Sequence, residues 1–222
     1  MTERAIAFLH SPFVGPSSWA GVANACRAMG FTVVLPSLSS IESLSYGAVG
    51  RVVADAVSDF EDIVLVAHSG AGSVVDAVAE VCAPRISIAF FVDAILPHPA
   101  RSWLSTLPPT LAERLRAQVH NGRLPTWEKW FPAGIIEEMV VDARAREAFI
   151  AELPHVPLSF ANEVAPTQSS RRPHECAYLR LSPGYEVEAC QAEALGWPTM
   201  RRNLHHLAIL TEVDGVTESL RQ

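Results

Sequence analysis

The chain has 222 residues, 49% of them hydrophobic and 18% charged, with a formal charge of −7. That is enough apolar material to offset chain entropy, so disorder is excluded, and the length suits one domain over 1–222. The acidic balance supplies no clustered cations for nucleic acid or an anionic membrane surface. No stretch approaches the roughly 20 apolar residues of a membrane span. The opening MTERAIAFLHSP lacks the apolar core of a signal peptide, so a cytoplasmic location is expected.

The elements read as follows in chain order. Ala5-Ile-Ala-Phe-Leu9 is a strand running into a loop dense in turn formers, His10 to Ser18. Trp19 to Met29 is helical with Gly30 as its C-cap, and Phe31 to Leu35 is a second strand ended by Pro36. Tyr46 to Ser58 is a further helix and Asp62 to Val66 a buried strand. Ala71, Val74, Val75, Val78 and Cys82 recur at helical spacing, and Ile86 to Val92 is the next strand. Continuous apolar strands alternating with helices predict a doubly wound, mostly parallel α/β sheet of about six strands with helices on both faces.

Between about Pro97 and Pro173 the pattern breaks into short helical segments, such as Leu111 to Val119 and Ala143 to Leu153, which reads as an inserted helical cap over 97–173. Cys176 to Leu181 resumes as strand, Tyr185 to Leu195 is helical with Gly196 behind it, Pro198 to Arg201 is a last strand, and Val213 to Leu220 a closing helix. Cys26, Cys82, Cys176 and Cys190 form no C-x-x-C pair, so they read as reduced thiols. Neither the cysteines nor the histidines have metal-ligand spacing, and no metal is expected.

The densest chemical signal is Ile63-Val-Leu-Val-Ala-His-Ser-Gly-Ala-Gly72, a buried strand running through small-x-Ser-x-small into a helix. Such a turn needs small neighbours because it strains the serine backbone and packs closely, and the helix N-terminus behind it offers donors to an oxyanion. Ala67 and Ala71 stand where glycines are more usual. Two other readings stay open on these residues alone. Gly70-Ala-Gly72, with Asp93 ending the next strand, imitates a dinucleotide loop, although Val75 stands in place of the third glycine; a plain structural turn is the other reading.

Two further segments bear on the choice. His10-Ser-Pro-Phe-Val-Gly-Pro-Ser-Ser-Trp19 resembles the H-G-x-x-x-G-x-x-x-W oxyanion loop of the α/β-hydrolase superfamily, especially its small serine esterase and hydroxynitrile-lyase branch. Leu204 to Leu210, followed by Glu212 to Leu220, resembles that family's histidine loop and final helix. The family's first strands have no counterpart, which implies a version trimmed at the N-terminus. By this resemblance Ser69 is the nucleophile and His206 its general base, with His205 left as loop structure and His10 and His68 orienting the loop and the elbow. Pro12 falls where the family supplies its first oxyanion amide and has no N–H to give, so Phe13 and Gly70 become the expected donors.

For the acid that orients His206, the family position just after the penultimate strand offers Ser182, Pro183 and Gly184, none a carboxylate, and then Glu186. Asp93 ends the strand beside the nucleophile strand, on the edge where α/β sites gather, and is preferred over Glu186. His10, Pro12, Trp103, Trp127 and Trp130 are expected to wall the substrate pocket, with Phe131 beside them. The implied activity is cofactor-free hydrolysis of an ester, thioester or lactone of a small to medium apolar substrate through an acyl-serine. The alternatives are a cofactor-independent lyase or cyclase, or a small-molecule binder without turnover, as in plant hormone receptors built on this fold. The expected partner is a small-molecule substrate, with a homodimer possible and neither nucleic acid nor membrane engaged.

Overall fold

The computed structural model describes residues 4–167, 171 and 173–221. Its centre is a six-stranded sheet of β1 (Arg4–Leu9), β2 (Val33–Val34), β3 (Asp62–His68), β4 (Arg85–Val92), β5 (Glu175–Arg180) and β6 (Thr199–Arg201), in the order β2-β1-β3-β4-β5-β6. Every pairing is parallel, as the unbroken apolar strands required. The second strand is shorter than the five residues read from sequence, because only Val33 and Val34 pair with β1.

Alternate residues of the strands feed two cores. Ala5, Ala7 and Leu9 of β1 and Ile63, Leu65 and Ala67 of β3 face one side, under α2 (Tyr46–Ala56), α3 (Val75–Val81) and the helix Glu186–Ala194. Phe8, Val66, Val92 and Leu179 face the other, under α1 (Ala20–Ala28) and the helix Val213–Ser219. Helices therefore cover both faces, as the period of the sequence demanded. No described helix is long and apolar enough to cross a membrane.

Strand order reverses at β1, which has β2 on one side and β3 on the other. The connections leaving β1 and β3 diverge there and open a crevice at the carboxyl edge of the sheet. Between β4 and β5 the chain runs through Trp103–Thr106, Pro109–Ala117, Ile135–Met139, Ala143–Ala151 and Leu158–Asn162, all short helices. Residues 168–170 and 172 of the segment expected as a cap lie outside the described residues.

The turn after β3 departs from the simple helix read from sequence. Ser69–Val74 is a 3-10 stretch before α3 begins. Gly72 fixes how tightly it packs, since an added Cβ would stand 1.9 Å from the Ile95 carbonyl oxygen. Gly72→Ala should therefore cost about 1–3 kcal/mol through overpacking. Gly215, in the helix Val213–Ser219, faces open space, and Gly215→Ala should stabilise by about 0.5–1 kcal/mol through helix propensity. Thermal unfolding of the two variants should move in opposite directions; a Gly72→Ala midpoint equal to that of the parent would contradict the tight elbow.

Candidate active site

Ser69 follows the last residue of β3 with φ 57°, a left-handed conformation that a side chain with a Cβ adopts only under constraint. Packing supplies that constraint. The Ser69 carbonyl accepts from the Ile95 amide at 3.2 Å, and Ala67 and Ala71 on either side are buried. A Cβ on Gly70 would lie 2.8 Å from Ser11 Oγ and 3.0 Å from the Phe13 ring. Both glycines of the 70–72 stretch are thus accounted for by the approach of neighbouring chain, without a phosphate.

Asp93 follows β4, next in register to the end of β3, and it too is left-handed, with φ 42°. Its side chain has no solvent exposure. One oxygen accepts from the Leu181 and Ser182 amides at 2.8 and 2.9 Å, and the other from the Ser182 hydroxyl at 2.6 Å and His206 Nδ1 at 2.8 Å. Tyr178 braces the same turn, its hydroxyl donating to the Ala94 carbonyl at 2.8 Å and accepting from the Ala94 amide at 3.2 Å. Burial alone would raise the Asp93 carboxyl, but the hydrogen bonds and charge of His206 and the bonds from Ser182 outweigh it and hold the carboxyl below its ordinary value.

His206 joins the two turns. Because Nδ1 donates to a carboxylate, Nε2 carries the lone pair and accepts from Ser69 Oγ at 3.0 Å. The imidazole lies between two flat neighbours. His68 stacks on one side with centroids 4.5 Å apart and 29° between planes, and Tyr185 on the other at 4.8 Å and 5°. His68 also donates from Nε2 to the His206 carbonyl at 3.0 Å. Burial, reinforced by the neighbouring His206, pushes the His68 imidazole down to about 3, so it sits beside His206 without adding charge. The Tyr185 hydroxyl is 3.4 Å from Ser69 Oγ.

The other residues singled out in the sequence fall into place as follows. Glu186 is away from His206; it pairs with Arg180 at 2.8 Å and Arg201 at 2.9 Å, at the start of its helix. His205 accepts or donates to Thr211 Oγ1 at 3.1 Å. His10 is buried, with Nδ1 donating to the Ser11 carbonyl at 2.9 Å and Nε2 accepting from the Leu38 amide at 3.1 Å. Both nitrogens are therefore spent on holding the loop after β1 in shape, an accepting Nε2 requires the neutral ring, and burial shifts the imidazole in the same direction. Pro12 is buried in that loop, and the Phe13 amide donates to Ser11 Oγ at 3.3 Å.

Phe13 packs on Trp103 and Trp130 with centroids 4.3 and 5.0 Å apart, so the segment between β4 and β5 touches the loop after β1 directly. Trp127 stands 5.9 Å from His206. Sequence reading overlooked Ser182 and Tyr185, although Ser182-Pro-Gly-Tyr185 is a turn at the carboxyl end of β5, the same edge that carries Ser69 and Asp93. Among the described residues no group of three or more His, Cys, Asp or Glu is placed to hold a metal ion.

Comparison with known proteins agrees with this architecture. The sequence pattern of the alpha/beta hydrolase family matches residues 6–210. The carbendazim hydrolyzing esterase of Nocardioides sp. (strain SG-4G) is 25% identical over 124 residues, a stretch covering 51% of this chain and 51% of that protein. The chain is thus matched to about half the length of that curated relative. Among solved structures, an extracellular alpha/beta-hydrolase from a Paenibacillus species, related in structure and function to tobacco salicylic acid binding protein 2, superposes with a TM-score of 0.79 at 20% identity over 97% of both chains. A pyrethroid hydrolase from Sphingobium faniae JZ-2 superposes with a TM-score of 0.75 at 16% identity, over 98% of this chain and 96% of that one. At these identities the superpositions speak to the fold.

The lowered Asp93 carboxyl has a definite sign in folding. A group whose pKa falls on folding stabilises the native state fully above its unfolded value, here near 3.8, and that contribution is lost as pH falls through the lower folded value. The difference in unfolding free energy between the parent and Asp93→Asn should shrink as pH falls below about 4. Denaturant titrations at stepped pH measure it; a gap that grows as pH falls below about 4 would mean the carboxylate is not held by these donors.

Proposed function

The chain belongs to the alpha/beta hydrolase family, and from that premise we propose that it is a serine hydrolase cleaving an ester, thioester or lactone of a small to medium apolar substrate through an acyl-serine intermediate. The observation that carries the proposal is the unbroken hydrogen-bonded chain from Asp93 through His206 to Ser69 Oγ, with both ring nitrogens in the tautomer that the reaction needs. By their names one relative is an esterase that hydrolyses carbendazim and another a hydrolase of pyrethroids, which favours hydrolysis as the reaction class here.

Ser69 Oγ attacks the carbonyl carbon while its proton passes to His206 Nε2, and Asp93 stabilises the imidazolium without taking a proton. The electron pair displaced onto the carbonyl oxygen needs donors. The Gly70 amide is one of the first in its 3-10 helix, where N–H groups have no intrahelical partner. The Phe13 amide is the second candidate; its bond to Ser11 Oγ is long at 3.3 Å and can be exchanged for a charged oxygen. The imidazolium then protonates the leaving oxygen or sulfur as its bond to carbon breaks. Water repeats the sequence on the acyl-enzyme, and no step calls for a cofactor. Trp127, beside His206, and Phe13 with Trp103 and Trp130 behind it supply apolar surface on which such a substrate would rest.

Hydrolysis of p-nitrophenyl acetate, with intact-mass detection of a fluorophosphonate adduct, tests the assignment. Ser69→Ala should lose the adduct and lower turnover by about 10⁶. Asp93→Asn should lower kcat by about three to four orders of magnitude through the wrong imidazole tautomer, while Glu186→Gln stays within about twofold of the parent. Full activity in Ser69→Ala would refute the nucleophile, and the reverse ranking of the two acid variants would move the orienting role to Glu186.

A further inference from the structure

Two side chains reach the Ser69 hydroxyl oxygen, and one of them has no place in the proton transfer just described. Oγ gives its proton to His206 Nε2 at 3.0 Å, which leaves its lone pairs to accept. The Tyr185 hydroxyl, 3.4 Å away, is the group in position to donate to them. Long hydrogen bonds of this kind in a substrate-free site tighten when charge develops on the acceptor. The phenol ring is held for the purpose: Tyr185 closes the 3-10 turn Pro183–Tyr185 that follows β5, and it lies within 5° of parallel on the His206 ring. Ser182, at the head of the same turn, is locked to Asp93 by its amide and its hydroxyl. One short turn therefore reaches the acid, the base and the nucleophile.

We propose that Tyr185 is a catalytic residue of the deacylation half-reaction, donating a hydrogen bond from its hydroxyl to Ser69 Oγ as that oxygen leaves the acyl group. The proposal rests on the acyl-serine reading of the site. In deacylation, water adds to the acyl carbonyl carbon and its proton goes to His206 Nε2. The tetrahedral intermediate then collapses: the carbon–Oγ bond breaks, its electron pair moves to Oγ, and the imidazolium returns the proton to Oγ. Tyr185 keeps its own proton throughout and only shares it. Burial holds the phenol well above its ordinary value, against the opposing pull of Ser69, so the donor is intact across the working range.

The two half-reactions respond differently to such a donor. An ester oxygen is a poor acceptor and a departing alkoxide a good one, so the bond strengthens on the way to the deacylation transition state. During acylation Oγ starts as a free hydroxyl, already a fair acceptor, so the bond gains less on the way to that transition state and accelerates the step less. Other roles for this ring, stacking on His206 and filling space, reside in its carbon atoms and survive in phenylalanine.

Tyr185→Phe separates these roles. With p-nitrophenyl acetate in rapid-mixing experiments, the burst of nitrophenol reports acylation and the later linear phase deacylation. The burst rate constant should stay within about threefold of the parent, while the deacylation rate constant falls about tenfold or more and intact mass shows the acetyl-enzyme persisting. An equal effect on both phases, or none on either, overturns the role of Tyr185 and leaves the acyl-serine reading standing. A parent protein that forms no acetyl adduct at Ser69 overturns that reading, and the proposal with it. Thermal unfolding of the variant, expected close to the parent midpoint because the long bond to Ser69 is the hydrogen bond of this hydroxyl among the described residues, separates a chemical effect from a folding defect.

Discussion

A carboxylate without solvent contact has to find its hydrogen bonds inside the protein, and Asp93 finds them on two separate stretches of chain. Its own backbone continues β4 and is tied to β5 by the Asp93 amide, which donates to the Leu179 carbonyl at 2.7 Å. Its side chain takes in the turn after β5 through Leu181 and Ser182, and the loop before the last helices through His206. Removing a charged acceptor from such a set leaves several buried donors unpaired, each costing about 1–3 kcal/mol. The loops at the carboxyl edge of the sheet thus converge on one negative charge, and the position of the imidazole is a consequence of that convergence.

Strain and support sit side by side on this edge. Ser69 and Asp93 end adjacent strands in left-handed conformations that cost about 1–3 kcal/mol each for residues with a Cβ. Parallel pairing of β3 with β4, His68 opposite Val92, aligns the two turns. The Ile95 amide bonded to the Ser69 carbonyl holds the segment after Asp93 against the turn after β3, and the Tyr178 hydroxyl bonded twice to Ala94 holds it against β5. Backbone tension at each turn is therefore balanced by the other, and the side chains leave the sheet at fixed angles.

Much of this edge was legible in the sequence, and for physical reasons. Strands buried on both faces announce themselves as apolar runs, and a turn that admits only small neighbours leaves a trace such as Ala67-His-Ser-Gly-Ala71. Asp93 stood out because it ends the strand beside that of Ser69, on the edge of the sheet where α/β sites gather. The turn after β5 was illegible: Ser182, Pro183, Gly184 and Tyr185 are ordinary turn residues, and nothing in their order says that a hydroxyl from one meets Asp93 while the ring of another covers His206. Boundaries near Val33 and Ser69 were missed because pairing length and 3-10 geometry are decided by tertiary contacts, which local pattern does not encode. His10 showed as a candidate for the pocket, yet its two ring nitrogens were claimed by amide and carbonyl groups 1 and 28 residues away.

The ring pair that encloses His206 also bears on entropy. An imidazole at a surface turns about its side-chain bonds, and fixing it in a reactive pose costs up to about 1 kcal/mol for each side chain ordered. Here His68 and Tyr185 close both faces, and Asp93 and Ser69 hold the two nitrogens at opposite edges, so the ring cannot rotate without parting all four contacts. Orientation is settled when the chain folds, and under the proposed acyl-serine mechanism the freedom that a looser histidine would surrender at each turnover has already been surrendered once.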